Sequence, residues 1–225
     1  MRCAWIPLTI CLFLFGMGGA EAASRDAIKW NNLGAELLNQ GKLEDAVGEF
    51  RQAVAADPGY TVAQMNLAYA YDQLGRVDEA IAAYKKASEL EPGNPTVLNN
   101  LGVLYMKKGS NDEAVQTFEQ GMKADPTNAA LQKNLENAKK NRDILQERET
   151  QIADAKKQAA ARPKDPKAAY DVARAYAFYR QNDQALEWLG KAMALGYDDP
   201  EGAKADAVFA DVRRDPRFPR IFEKR

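Results

Sequence analysis

The side chains in this sequence whose type and spacing best fit a chemical task are four asparagines that recur every 34 residues. They are Asn32, Asn66, Asn100 and Asn134, and we call them the amide ladder. An asparagine amide offers N–H donors and a carbonyl acceptor together, so it can pair with the backbone of a peptide without reading that peptide's side chains. The ladder therefore marks four amides as candidate hydrogen-bonding residues.

Residue types that commonly carry catalysis or bind metals are scarce. The sequence of 225 residues has no histidine, and both cysteines, Cys3 and Cys11, lie in its apolar N-terminal stretch. The remainder therefore offers no thiol nucleophile, no imidazole base and no His/Cys metal site. The repeat glycines follow the same 34-residue interval and do not cluster into a phosphate-binding loop. We predict a protein that is not an enzyme and that uses no metal and no cofactor.

The charge balance gives no reason to expect nucleic acid as a partner. Lysine and arginine together number 31, aspartate and glutamate number 32, and the formal net charge is −1. Attachment to phosphates, or to an anionic membrane surface, needs a clear excess of positive charge. We expect a protein or peptide partner instead.

The N-terminal stretch differs in character from the rest. Arg2 is followed by an almost wholly apolar run over residues 4–17 and by the small-residue pattern Ala20-Glu21-Ala22. This is the layout of a secretory signal peptide, and the apolar run is shorter than the roughly 20 residues that span a membrane. We predict a signal peptide over residues 1–23, export to the periplasm or the exterior, and no membrane span after cleavage. Retention as an uncleaved anchor is the alternative.

The ladder belongs to a longer pattern that occurs three times, over residues 27–60, 61–94 and 95–128. Each copy has a leucine before a small residue, then a glycine, a small residue, an aromatic residue and a proline. In copy order these are Leu33-Gly34, Leu67-Ala68 and Leu101-Gly102; Gly41, Gly75 and Gly109; Ala46, Ala80 and Ala114; Phe50, Tyr84 and Phe118; and Pro58, Pro92 and Pro126. The glycine closes a first helix and the proline stops a second one. Each copy is predicted to be a helical hairpin that must stack on its neighbours to bury its apolar faces.

A 34-residue period with this pattern resembles the tetratricopeptide repeat (TPR) family. The resemblance implies an all-α solenoid of helical hairpins, and it implies that the amide ladder faces the concave groove. In some members of the family a row of asparagines there holds an extended peptide. The neighbouring groove positions are Asn31, Met65, Tyr69, Asn99, Val103 and Met106. The alternative is that the asparagines bond between repeats and hold no ligand.

The family's carboxylate clamp, which holds acidic peptide C-termini through lysine and arginine, is not implied here. Its basic places fall on Asn31, Thr96 and Asn100, none of which is charged. Because the groove positions are mostly apolar with a few amides, we expect a ligand segment with apolar anchors.

After the third copy the pattern restarts and then changes. A stripe spaced by seven runs from Leu131 to Ala159 through a charged stretch without proline or glycine, with one apolar residue per heptad where a coiled coil needs two. We predict a long capping or connecting helix over residues 129–161, then a degenerate fourth hairpin and a C-terminal cap over residues 162–225. Arg180 stands at the glycine place of this hairpin, and we expect Asn182 to turn the chain there instead.

These features predict a non-catalytic adaptor that binds a peptide or helical segment of a partner in the TPR groove. A scaffold subunit of an envelope or secretion assembly is the close variant. The alternative is a structural protein that self-associates through the array or the long helix, and a monomer is the favoured state.

Overall fold

A computed structural model describes residues 23–223, which form ten α-helices followed by three short 3-10 helices. The predicted all-α solenoid of hairpins is confirmed. Except for Ala23, the segment predicted as a signal peptide lies outside the described residues. None of the described helices is both long enough and apolar enough to cross a membrane.

The helices follow the copies of the pattern. The three regular hairpins are α1 (Arg25–Asn39) with α2 (Leu43–Ala56), α3 (Thr61–Gln73) with α4 (Val77–Leu90), and α5 (Pro95–Lys108) with α6 (Asn111–Ala124). They are followed by the long α7 (Ala129–Ala161), by the fourth hairpin of α8 (Pro166–Phe178) and α9 (Asn182–Ala194), and by α10 (Pro200–Ala205). The 3-10 helices are Ala207–Phe209, Val212–Arg214 and Pro219–Phe222.

Each regular hairpin turns at a glycine in the left-handed conformation. Gly41, Gly75 and Gly109 have φ angles of 75°, 74° and 81°. The N–H of the next residue then donates back to the first helix, as from Lys42 to the carbonyl of Leu37 at 3.0 Å. This pattern satisfies a carbonyl that the helix end would otherwise leave free.

The fourth hairpin makes the same turn at a residue other than glycine. Arg180 has a φ of 58° and is the one non-glycine residue with positive φ in the described part of the chain. The prediction that Asn182 turns the chain is wrong, because Asn182 is the first residue of α9. The N–H of Gln181 donates to the carbonyl of Tyr176 at 2.9 Å, which is the same closing bond as in the glycine turns. The hairpin geometry therefore imposes on Arg180 a backbone conformation that costs an L-residue about 1–2 kcal/mol.

Two aromatic rings fix how closely the helices of a regular hairpin approach. A Cβ atom added to Gly102 would lie 2.5 Å from Cε1 of Phe118, and one added to Gly34 would lie 2.7 Å from the ring of Phe50. Both rings are fully buried. The ring occupies the space that a side chain at the glycine would fill, and we call this space the glycine seat. This contact holds the two helices of the hairpin together.

The chain divides between Asn134 and Leu135 into two compact units, each with its own core. The core of the second unit is formed by α8, α9 and the C-terminal segment, and it includes Ile152 and Ala159 of the α7 stripe. Since these two residues are buried within their own unit, this part of the stripe is not free to pair with a second copy of the chain.

An aspartate holds the C-terminal segment to the fourth hairpin. The carboxylate of Asp206 accepts hydrogen bonds from the Tyr170 hydroxyl at 2.8 Å and from the Val208 N–H at 3.0 Å, and it pairs with Arg174 at 2.9 Å. Burial alone would raise the pKa of Asp206, but these donors stabilise the carboxylate more strongly and lower the pKa below its usual value. The Tyr170 ring also stacks on Tyr197, with 4.3 Å between the ring centroids.

We predict that Gly102→Ala lowers the free energy of unfolding by about 1–3 kcal/mol, because the new methyl group overlaps the Phe118 ring and the closed core cannot yield without strain. The matched control is Gly48→Ala on α2, where nothing lies within 4 Å of the added methyl group. That change should stabilise the chain by about 0.4–1 kcal/mol. Chemical denaturation of both variants measures the two effects, and equal effects would contradict the assignment of the glycine seat.

We predict that Asp206→Asn lowers the free energy of unfolding by about 2 kcal/mol at neutral pH, because it removes a charged partner from Tyr170, Arg174 and Val208. The folded-state pKa of Asp206 is depressed, so its contribution is present above the unfolded value of about 3.9 and is lost as the pH falls through the folded value. Denaturation of both proteins at falling pH should therefore show their stabilities converging in acid. A difference in the free energy of unfolding that stays constant as the pH falls would contradict the role of the charged Asp206 carboxylate.

Candidate peptide-binding site

The first helices of the three regular hairpins lie side by side and expose one common surface. Side-chain hydrogen bonds join α1 to α3 and α5 to the first turns of α7 across this surface. We call it the first-helix face. The ladder runs across it, with one asparagine on each helix, and all of it lies within the first unit.

The four ladder asparagines are not equivalent in the structure. Asn32 is exposed, and its side chain makes no hydrogen bond to any described residue. Asn66, Asn100 and Asn134 are half-buried, and each donates one N–H to a neighbouring side chain. Asn32 is thus the rung whose whole amide remains available to a ligand.

Two of these hydrogen bonds form a matched pair, which we call the amide clasps. The Oδ1 of Asn31 accepts a hydrogen bond from the Nδ2 of Asn66 at 2.8 Å. The Oδ1 of Asn99 accepts one from the Nδ2 of Asn134, also at 2.8 Å. Both bonds join residues 35 positions apart, so the first ties the first copy of the repeat to the second, and the other ties the third copy to α7. The inter-repeat role considered as the alternative is therefore real for Asn66 and Asn134.

The clasps change the interpretation of Asn31. It was predicted to line the groove, but it is only 6% exposed and lies beneath the ladder. A ligand on the first-helix face would meet Asn66, and Asn31 would act only by holding that amide in place. Asn99 holds Asn134 in the same way but is half-buried and partly accessible.

A different arrangement replaces the clasp between the second and third copies. Met65 occupies the clasp place there, and Asn100 instead donates to the Tyr84 hydroxyl oxygen at 3.0 Å and accepts from Asn99 at 3.4 Å. Burial raises the pKa of the Tyr84 hydroxyl, because the charged phenolate would lose its solvation there. The sequence pattern identified Tyr84 only as the aromatic residue of the second copy and did not predict this contact. The signal was a tyrosine where the other copies have Phe50 and Phe118.

Apolar side chains flank the ladder on both sides. Ile28 and Val62 lie one turn before their rungs and are exposed, and Tyr69 lies one turn after Asn66 and is 45% exposed. Helical spacing of three and four residues places such neighbours on the same face. The other predicted lining residues, Met65, Val103 and Met106, are half-buried on the same helices. The face thus alternates amide groups with apolar surface.

The first-helix face carries little charge that a ligand could use. Lys107 of α5 pairs with Asp72 of α3 at 2.6 Å, so the protein neutralises this lysine itself. Thr96 and Asn100, at two of the clamp places, are uncharged. The chemistry available is hydrogen bonding to a polypeptide backbone and burial of apolar side chains.

Two family models match the region that builds this face. One, described as a TPR repeat, matches residues 68–109. The other, described as a tetratricopeptide repeat, matches residues 30–60 and 95–128. No curated protein sequence matches the chain significantly.

Solved structures of TPR proteins share the fold. The Sgt2 TPR domain from Aspergillus fumigatus matches with a TM-score of 0.52 and 20% identity, covering 56% of this chain and 85% of that one. The MamA RS-1 ArsTM double mutant matches with a TM-score of 0.51 and 18% identity, covering 80% and 99%. The first TPR of Spaghetti (RPAP3) matches with a TM-score of 0.50 and 22% identity, covering 54% and 97%. The three regular hairpins, over residues 30–128, are therefore tetratricopeptide repeats, a repeat fold that generally serves protein interaction without catalysis.

Proposed function

We propose that the chain is a non-catalytic adaptor whose first-helix face binds a segment of a partner protein. The observation that carries the proposal is the row of amides with unused donors and acceptors between exposed apolar side chains. Asn66 keeps one N–H and its carbonyl oxygen, and Asn32 keeps its whole amide, when only the described residues are considered. Unpaired amides on a partly apolar surface are suited to a peptide backbone, which presents donors and acceptors at regular intervals.

The spacing of the rungs fits an extended segment. Packed helices lie about 8–10 Å apart, and an extended chain advances about 3.3 Å per residue. One rung would therefore meet about every third residue of the partner. Ile28, Val62 and Tyr69 would contact the side chains in between, and these contacts would provide the selectivity that backbone pairing lacks.

The ligand expected here differs in charge from the peptide bound in one TPR structure. The first TPR of Spaghetti was solved with the HSP90 peptide SRMEEVD, a segment with acidic residues near its end. The first-helix face here has uncharged residues at the clamp places, and Lys107 is already paired with Asp72. An uncharged, apolar segment is accordingly the better fit.

The place of action follows from the N-terminal stretch. The apolar run over residues 4–17 and the pattern Ala20-Glu21-Ala22 support export, so we place the adaptor outside the cytoplasm, where it serves as a scaffold subunit of an envelope or secretion assembly. Light scattering of the exported chain tests the competing idea of self-association, which requires an oligomer.

We predict that Asn32→Ala weakens partner capture from an envelope extract by about three- to tenfold, the loss expected for one or two hydrogen bonds. Its thermal midpoint should not change, because the Asn32 side chain makes no hydrogen bond within the described residues and alanine has good helix propensity. The Asn66→Ala/Asn100→Ala double variant should lose capture altogether. The control is Gln52→Ala/Gln116→Ala, which removes two exposed amides from the second helices α2 and α6.

Capture that survives in folded Asn32→Ala and in the folded double variant would move the binding site away from the first-helix face. The same result would leave the ladder with an inter-repeat role only.

We predict that Asn31→Ala lowers the free energy of unfolding by about 1 kcal/mol, because it removes the acceptor of the first amide clasp. The neighbouring Asn32→Ala is the matched control and should stay within about 0.5 kcal/mol of the parent. Urea denaturation of the two variants separates the clasped asparagine from the free one. Equal stabilities would show that the clasp contributes nothing to folding.

A further inference from the structure

The four hairpins of this chain provide an internal reference for one another. Two residues before the residue that turns the chain, the regular copies carry Asn39, Gln73 and Lys107. The fourth hairpin carries Phe178 at the corresponding place, and it is 67% exposed, more than any other large apolar residue described. A polar residue serves the fold at this place three times, so the fold itself does not call for phenylalanine.

Phe178 is held against the protein rather than extended into solvent. Its ring meets the ring of Tyr179 edge to face, with 4.9 Å between centroids and an angle of 88°. Tyr179 in turn packs against the core of the second unit. The exposed ring therefore rests on a side chain of the core, and a side chain with such a contact has less conformational entropy to lose when a partner covers it.

The next unusual residue follows two positions later. Arg180 adopts the left-handed backbone that glycine adopts in the other three turns. Its side chain is 83% exposed, so burial does not account for the choice of arginine. Strained backbone retained at an exposed turn favours a role for the side chain outside the fold.

The charge around Arg180 is only partly compensated. Its Nε lies 3.5 Å from the carboxylate of Asp211, and the guanidinium of Arg214 lies 3.6 Å from the same carboxylate. Both distances exceed the roughly 2.8 Å of a well-formed charged hydrogen bond. Two cations thus share one anion, whereas Arg174 forms a short ion pair with Asp206 at 2.9 Å. The contacts to Asp211 therefore leave one of these two positive charges uncompensated, two residues along the chain from Phe178 in the case of Arg180.

We propose that Phe178, Arg180 and Arg214, which we call the hairpin tip, form a second protein-binding surface. It accepts a segment that presents an apolar side chain next to a carboxylate. The apolar side chain covers the Phe178 ring, and the carboxylate accepts paired hydrogen bonds from the guanidinium groups, a geometry that arginine provides and lysine does not. The hairpin tip belongs to the second unit and has the opposite ligand preference to the neutral first-helix face.

An anionic membrane surface is the less favourable occupant. Attachment of a surface element to lipid requires a broad apolar face, whereas the hairpin tip offers one exposed ring. A peptide with one apolar anchor and one carboxylate matches the number of groups available, so the proposal is for a protein segment.

The test measures binding of the full chain to three sets of synthetic peptides. In each set a central leucine or phenylalanine is flanked by aspartates, by asparagines or by lysines. We expect the aspartate-flanked peptides to bind at least about tenfold more tightly than the others, and Arg180→Gly to remove about tenfold of that affinity. Arg180→Gly should not lower the thermal midpoint, because glycine suits the turn, so lost binding cannot be attributed to unfolding.

Two further variants complete the test. Phe178→Gln, which introduces the residue that the second copy has at this place, should also lose binding. Lys164→Gln, which removes an exposed cation before the start of α8, should bind the aspartate-flanked peptides like the parent. Asn32→Ala should also bind these peptides like the parent, because the neutral first-helix face does not select carboxylates. Unchanged binding by Asn32→Ala makes this result independent of the function proposed for the first-helix face.

Three results would overturn the proposal. They are equal binding of aspartate- and asparagine-flanked peptides, undiminished binding by Arg180→Gly, and absence of binding by every peptide set. Capture of the parent, but not of Phe178→Gln, by vesicles of phosphatidylglycerol and phosphatidylcholine in the absence of peptide binding would assign the hairpin tip to a lipid surface instead.

Discussion

The contact between a glycine and an aromatic ring sets the geometry of the first unit. In the first and third copies the ring of Phe50 or Phe118 occupies the space that a side chain at Gly34 or Gly102 would need. This close approach fixes the distance between the two helices of a hairpin, and close-packed cores transmit such constraints to their neighbours. Because every copy closes at the same place, the first helices lie side by side and residues 34 positions apart come into line. The amide ladder exists as a surface feature only because of that alignment.

The same residue type serves cohesion and recognition on the first-helix face. Asn66 and Asn134 each use one N–H to clasp the preceding copy and keep a carbonyl oxygen directed away from that bond. A clasped amide has a restricted orientation, so a ligand would not need to order it on binding. The two interpretations of the ladder that the sequence left open are therefore compatible. The clasp stabilises the stack and also presents the rung.

The hairpins, the glycine turns and the long helix could be predicted from the sequence, because each depends on the conformational preferences of neighbouring residues. Glycine closes a helix, proline stops one, and the absence of both allows α7 to continue for 33 residues. The burial of Asn31 and the bond between Asn100 and Tyr84 could not be predicted in this way. They depend on the rotation of each helix about its axis within the stack, and periodicity does not give that rotation to better than one residue. The turn at Arg180 was mispredicted because asparagine has the higher propensity for a left-handed backbone, which favoured Asn182. In the structure the hydrogen bond from the Gln181 N–H to the Tyr176 carbonyl places the left-handed residue at Arg180.

The fourth hairpin shows that the fold can be kept while the surface changes. Lys167 and Asp171 hold the places that Ile28 and Asn32 hold in the first copy, and they form an ion pair at 3.4 Å. An ion pair thus stands where the first copy has an apolar residue and an amide, so the second unit does not continue the ladder. Its buried positions still follow the pattern, since Ala173 and Leu189 occupy the small and large places of the core. Packing constrains the buried residues of every copy, whereas the exposed residues are free to differ, and this is why one repeat pattern can carry two surfaces of different chemistry.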